Sequence, residues 1–270
     1  MHKWMIAAAA SCIVALWGLT PASAQVGTHC YAVGDGGGAN GGDDLLTLVD
    51  FTDPNVSTNE TDVGTGTGTE RIEAAALHPI TGVMYAADDE EFGTIDLVTG
   101  EYSSIGLFGS GDGSDGNEDF DDVDGLSFDL DGTLYGSVRR SDADLLIQIN
   151  IATGAHINNA FGGGNDYVVV PEIGGRDDVD DLAIDPSNGT LYATLVGSGG
   201  DILITINKAT GASTNLGSIG FNSIEGLGFD PSGQLWGARE AGALVAIDKN
   251  TGAGTIFSTL DNAEDYESIT

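Results

Sequence analysis

The chain has 270 residues but only two cysteines and eight basic residues, and no long apolar run after its first two dozen positions. Each shortage excludes something. Cys12 lies in the N-terminal apolar segment and Cys30 is the only cysteine after it, so a processed chain is expected to form no internal disulfide. Eight Lys and Arg against 42 Asp and Glu give a net charge of −34, which repels nucleic acid and anionic membranes. No later stretch approaches the ~20 apolar residues a membrane-spanning helix needs. Helical periodicity is almost absent. Gly, Asp, Ser and Thr interrupt the chain at short intervals instead, which reads as all-β. The common catalytic signatures G-x-S-x-G, H-E-x-x-H and C-x-x-C are missing too.

Residues 1–24 read as a signal peptide. Lys3 supplies the positive start, "WMIAAAASCIVALWG" the apolar centre, and Ala22-Ser23-Ala24 the cleavage site. The expected mature chain is secreted, extracellular or periplasmic, and losing Lys3 takes its charge to −35. Such an acidic surface suits a cation-binding protein or one working in salt.

The rest is a repeat. An acid followed by an apolar run occurs as "IEAAAL", "VDGLSF", "VDDLAI" and "IEGLGF" (strand A). A Gly-containing turn leads to "GVMYAA", "GTLYGS", "GTLYAT" and "GQLWGA" (strand B). Strand C ends in "IDLVTG", "INIATG", "INKATG" or "IDKNTG", and strand D is expected directly after the Thr-Gly. Four antiparallel strands per unit describe a β-propeller blade. "HCYAVG", "LLTLVDF" and "TNETDVG" supply strands B to D of a first unit that has no strand A, and the terminal "YESIT" matches the start of strand A alone. The expected fold over 25–270 is a five-bladed propeller whose first blade is closed by a C-terminal strand; the alternative is six blades in a longer chain. Cys30 aligns with Met84, Leu134, Leu191 and Leu235, as a buried apolar residue would. Long segments at 107–122 and 161–178 are expected as loops on the face carrying the B-to-C connections, where function concentrates.

The acid opening each strand A is the chief candidate site: Glu73, Asp124, Asp180, Glu225 and Glu267. Strand A is innermost in a blade, so five carboxylates should ring one channel mouth. Hard oxygen donors in that number suit Ca²⁺. The alternative is structural, each acid accepting N–H bonds from the next blade. Asp119, Asp121, Asp122, Asp177, Asp178 and Asp181 lie nearby and either extend a cation site or are solvated. "DGNEDFDDVDGL" lacks the Gly and Glu of an EF-hand loop. Asp129, Asp185, Asp230 and the equivalent His78 read as turn residues, and Arg139, Arg140 and Arg239 as partners of neighbouring acids. G-x-G-x-x-G at 36–41 and 111–116 opens no helix and carries no nucleotide reading.

On "L-Y-[GA]" and "I-[DN]-x-x-T-G", the chain resembles secreted bacterial β-propeller repeat proteins of the YVTN and NHL-like kind. "IEGLGFDPSGQLWG" is similar to the "E-G-P-x-W-x-x-x-x-x-L-Y" phrase of gluconolactonase-type propellers. That likeness implies a divalent metal at Glu225. The five-bladed count and a central metal also resemble plant-type glutaminyl cyclases. The resulting expectation is a Ca²⁺-stabilised binding or surface-interaction module without a catalytic site, whose partners are a divalent cation and an extracellular protein or glycan. A metal-dependent hydrolase using Glu225, Asp124 and Asp180, and a self-assembling surface protein, are the alternatives.

Overall fold

A computed structural model describes residues 29–34, 43–50, 60–197, 199–239, 242–259 and 266–270; the expected signal peptide and the glycines at 36–41 lie outside them. Five antiparallel sheets form the blades of a propeller. From the inner strand outward, the second blade runs Ile72–Leu77, Met84–Asp88, Glu91–Ile95 and Tyr102–Leu107. The fifth runs Ile224–Phe229, Leu235–Arg239, Ala243–Ile247 and Gly254–Thr259. The third and fourth depart from this plan locally. In the third, His156 makes only an isolated bridge to Ile149, and the outer strand comes later, at Tyr167–Val169. The expectation that strand D follows the Thr-Gly directly therefore fails there. Asn159, Gly162 and Gly164 take positive φ and turn the chain first. In the fourth, the inner edge is split into Arg176–Asp178 and Leu182–Ile184, both paired with Leu191–Gly197. The expected loop at 107–122 also holds structure, a hairpin of Ser110–Gly113 and Gly116–Asp119.

The first blade joins the two ends of the chain. Tyr266–Ile269 pairs with His29–Gly34, followed by Leu45–Asp50 and Glu60–Asp62. The ring closes at five blades, as the half-blade match predicts, and the inner edge of the first sheet is covered. Cys30 is buried where the repeat places it (2% exposed). It is disulfide-bonded in the full-length chain; the expectation of no internal disulfide concerns the processed chain, and the other cysteine, Cys12, lies outside the described residues.

Apolar side chains of neighbouring blades fill the spaces between sheets, as Phe92 and Phe108 of the second blade do with Phe120 and Val123 of the third. Buried carboxylates stitch the same seams. Asp44, Asp144 and Asp201 immediately precede the third strand of their blades, and each accepts a hydrogen bond from an N–H entering the next blade. Their partners are Ile72 at 2.6 Å, Val179 at 2.6 Å and Ile224 at 2.9 Å. A second acidic series, legible as "DLLTLV", "DLLIQI" and "DILITI", thus carries a structural duty of the kind the alternative reading gave the ring acids. Asp201→Ala leaves a buried N–H without its acceptor. The expected cost is about 2 kcal/mol, or roughly 4–8 °C in a thermal melt; an unchanged melt would mean the seam is wet.

On the short-turn face, Asp129, Asp185 and Asp230 accept N–H bonds within their turns, and His78 Nδ1 does the same from Ile80 and Thr81. Two of these aspartates also reach across a seam, Asp129 to Lys208 and Asp185 to Lys249.

Candidate functional site

The five predicted acids converge. Glu73, Asp124, Asp180, Glu225 and Glu267 line one small cavity on the axis, and Arg139 is the cation among them. Local backbone geometry aims them. The register slips between Ile72 and Ala74, between Ile224 and Gly226, and where Tyr266 and Ser268 face consecutive residues of the first strand. In each case the glutamate is the extra residue of a β-bulge, released from strict alternation and turned toward the axis. In the fourth blade Asp178 and Leu182 oppose Val196 and Ala193, again with one extra residue on the inner edge. The cavity measures about 30 Å³. That admits an ion or a water molecule and is far below the ~300 Å³ of a small-molecule pocket.

The ring is not symmetric. Asp124, Asp178 and Asp180 bring one carboxylate oxygen each within 4.8 Å of one another. Asp178 was grouped outside the ring in the sequence; the split inner edge of the fourth blade carries it in. Asp124 Oδ2, Asp178 Oδ1 and Asp180 Oδ2 are all buried and have no hydrogen-bond partner. Asp124 is 7% exposed. Burial pushes its carboxyl up to about 9, with the Asp122 charge adding and Arg139 opposing. Burial, then the charges of Asp178 and Glu225, hold the Asp180 carboxyl well above the usual carboxylate range. Asp178 is raised by burial against the pull of Arg139. Arg139 pairs with Asp178 at 3.3 Å and Asp124 at 3.7 Å. Arg140 pairs with Asp115 and Glu118, and Arg239 donates to the Asn222 carbonyl while its charge acts on Asp201.

The next residue of each inner strand is Ala74, Gly125, Asp181, Gly226 or Ser268. Four are small and one is an aspartate, which has no exposed surface. Leu182 N–H donates to Asp181 Oδ1 at 2.7 Å, and Leu227 N–H to Oδ2 at 2.8 Å. The Leu126 N–H donates to the same carboxyl, and Ser268 Oγ lies 3.2 Å from Oδ2. Ser268 Oγ in turn accepts from Ala75 N–H at 3.1 Å. Asp181 therefore links inner strands of all five blades, and is neither solvated nor an outer extension of the ring, the two roles the sequence left open. Gly125 makes room: a Cβ there would sit 2.5 Å from Ser137 Oγ and 3.0 Å from Asp181 Cα. Asp119 and Asp121 are exposed.

Fold and site together define an all-β five-bladed propeller whose axis carries carboxylates at one mouth. No protein-family description matches the chain, and no curated protein does. Solved structures do. A chain from the crystal structure of a nidogen/laminin complex superposes with a TM-score of 0.58 at 15% identity, covering 90% of this chain and 98% of that one. The PQQ-bound aldose sugar dehydrogenase of Streptomyces coelicolor gives 0.45 at 16% identity, covering 73% and 62%. At these identities the likeness is one of fold. Among the described residues, no helix is long and apolar enough to cross a membrane.

Proposed function

We propose that the chain is an exported binding module of the kind its YVTN and NHL-like resemblance implies, stabilised by one divalent cation, Ca²⁺ by preference, at the acidic mouth. One observation carries the cation: Asp124, Asp178 and Asp180 each bring a carboxylate oxygen within 4.8 Å of the others, and each has a buried oxygen that makes no hydrogen bond. Buried charge of one sign is costly unless paired, and hard oxygen donors select Ca²⁺ over softer metals. Glu73, Glu225 and Glu267 complete the mouth. The cation's part is to bind the inner strands of the third and fourth blades to one another, leaving the long-segment face rigid enough to present to a partner. An extracellular protein is the favoured partner, in keeping with a similar propeller found in a nidogen/laminin complex; the cavity at the mouth has the volume for an ion rather than for a sugar or a lactone.

The test is a melt of metal-stripped protein with and without Ca²⁺. At a hundredfold excess over Kd, binding adds about 2.7 kcal/mol, a rise of roughly 5–10 °C, reversed by EDTA. An unchanged melt, with no bound metal by elemental analysis, would remove the cation from the proposal.

A further inference from the structure

We infer that Arg139 is the resident competitor for this cation: its guanidinium occupies the carboxylates a divalent ion needs, and it must swing aside when the ion enters. The inference rests on the cation reading above and adds how the site is regulated.

Three observations support it. Arg139 contacts two of the three converging aspartates, at 3.3 and 3.7 Å. Both distances exceed the ~2.7–2.9 Å of a well-made charged hydrogen bond, and Asp124 Oδ2 has no hydrogen bond despite the nearby guanidinium. The arginine neutralises the site without satisfying it. Second, its side chain is 51% exposed, so an exit to solvent is open. Arg140 beside it behaves differently. It is 12% exposed and tied by two donors to the Ala143 carbonyl, at 3.0 and 2.6 Å, and by ion pairs to Asp115 and Glu118. Third, the repeat singles out position 139. The equivalent residues of the other blades are Asp35, Asp89, Val196 and Glu240, none of them basic. The one blade with an arginine there also contributes Asp124, the most buried member of the ring.

A single positive charge lying over two carboxylates holds the mouth together when the cation is scarce. It also raises the concentration at which the cation takes over, so the site responds over a range set by this residue. Like charges do not share so small a space; ion and guanidinium alternate.

Calorimetric titration of the metal-stripped full chain with CaCl₂ tests this in wild type, Arg139→Gln and Arg139→Lys. Arg139→Gln is expected to bind Ca²⁺ at least tenfold more tightly than wild type, and to melt lower than wild type in EDTA but not in saturating Ca²⁺. Arg139→Lys, which keeps the charge, is expected to stay within about threefold of wild type and separates charge from local packing. If wild type and Arg139→Gln bind with equal affinity, the competition is overturned while the cation reading stands. Weaker binding by Arg139→Gln overturns it too, making the arginine a support of the site. If neither protein binds, the cation reading itself falls.

Discussion

Asp181→Ala is expected to lower the melting temperature by roughly 10 °C, the largest single effect of any one side chain on the axis. The carboxyl receives N–H bonds from Leu126, Leu182 and Leu227 and faces the Ser268 hydroxyl, with no solvent contact. Alanine removes the acceptor and leaves several buried donors without one. Each such donor costs about 1–3 kcal/mol; relaxation of the narrow channel recovers part of that, leaving about 4 kcal/mol. At this chain length 1 kcal/mol corresponds to about 2–4 °C. Asp181→Asn keeps one acceptor oxygen and should lose about half as much. An alanine variant melting within 2 °C of wild type would mean that water enters the channel and replaces the carboxyl.

Metal-stripped protein is expected to be more stable at pH 5 than at pH 8, the reverse of the usual behaviour of an acidic surface held by salt bridges. Asp124 is raised to about 9 and Asp144 to about 7, each chiefly by burial. A carboxyl with a raised folded pKa favours folding fully below its unfolded pKa, near 4. That contribution is lost as pH rises through the folded value. Between pH 5 and 8 the unfolded chain has released both protons. The folded chain keeps the Asp124 proton across the window and the Asp144 proton up to about pH 7. At 1.36 kcal/mol per pH unit per proton, Asp124 over three units and Asp144 over two give a loss of about 7 kcal/mol. Below pH 4 the trend turns over. Asp185, held low by Lys249 and Ser187 despite its burial, and Asp96 and Asp248, held low by turn N–H groups, then lose their bonds to protonation. Denaturant unfolding at several pH values in EDTA should place the maximum near pH 5. A curve flat from 5 to 8 would show that the buried acids are ionised throughout.

The blades were legible in the sequence because apolar alternation and the Thr-Gly turn recur with little variation, and burial on both faces of a propeller sheet keeps the inner positions constant. The five ring acids were legible for the same reason. Their geometry was not: a bulge at Glu73, Glu225 or Glu267 adds one residue without changing the local phrase. Asp44, Asp144 and Asp201 recur immediately before a strand, but nothing in the local phrase separates them from turn residues such as Asp129 and Asp185. Only the pairing of blades reveals that a carboxylate at that place meets an N–H 23 to 35 residues further on. Asp178 and Asp181 sit three residues apart in one acidic run, "DDVDD". The first enters the carboxylate cluster and the second the sealed channel, a division that composition does not express. The outer strand of the third blade was displaced from its expected place because a ten-residue excursion with four positive-φ residues (Asn159, Gly162, Gly163 and Gly164) precedes it.

The shared first blade has a mechanical consequence. Tyr31 and Thr270 exchange backbone hydrogen bonds at 2.8 Å each, and Ala32 faces Ile269 while Gly34 faces Tyr266. The beginning of one strand therefore lies beside the end of the other. Tension applied at the two ends of the chain would load these bonds in succession, peeling the pair open like a zip, and would not shear them together. Resistance to force depends on the unfolding barrier, and peeling keeps that barrier low.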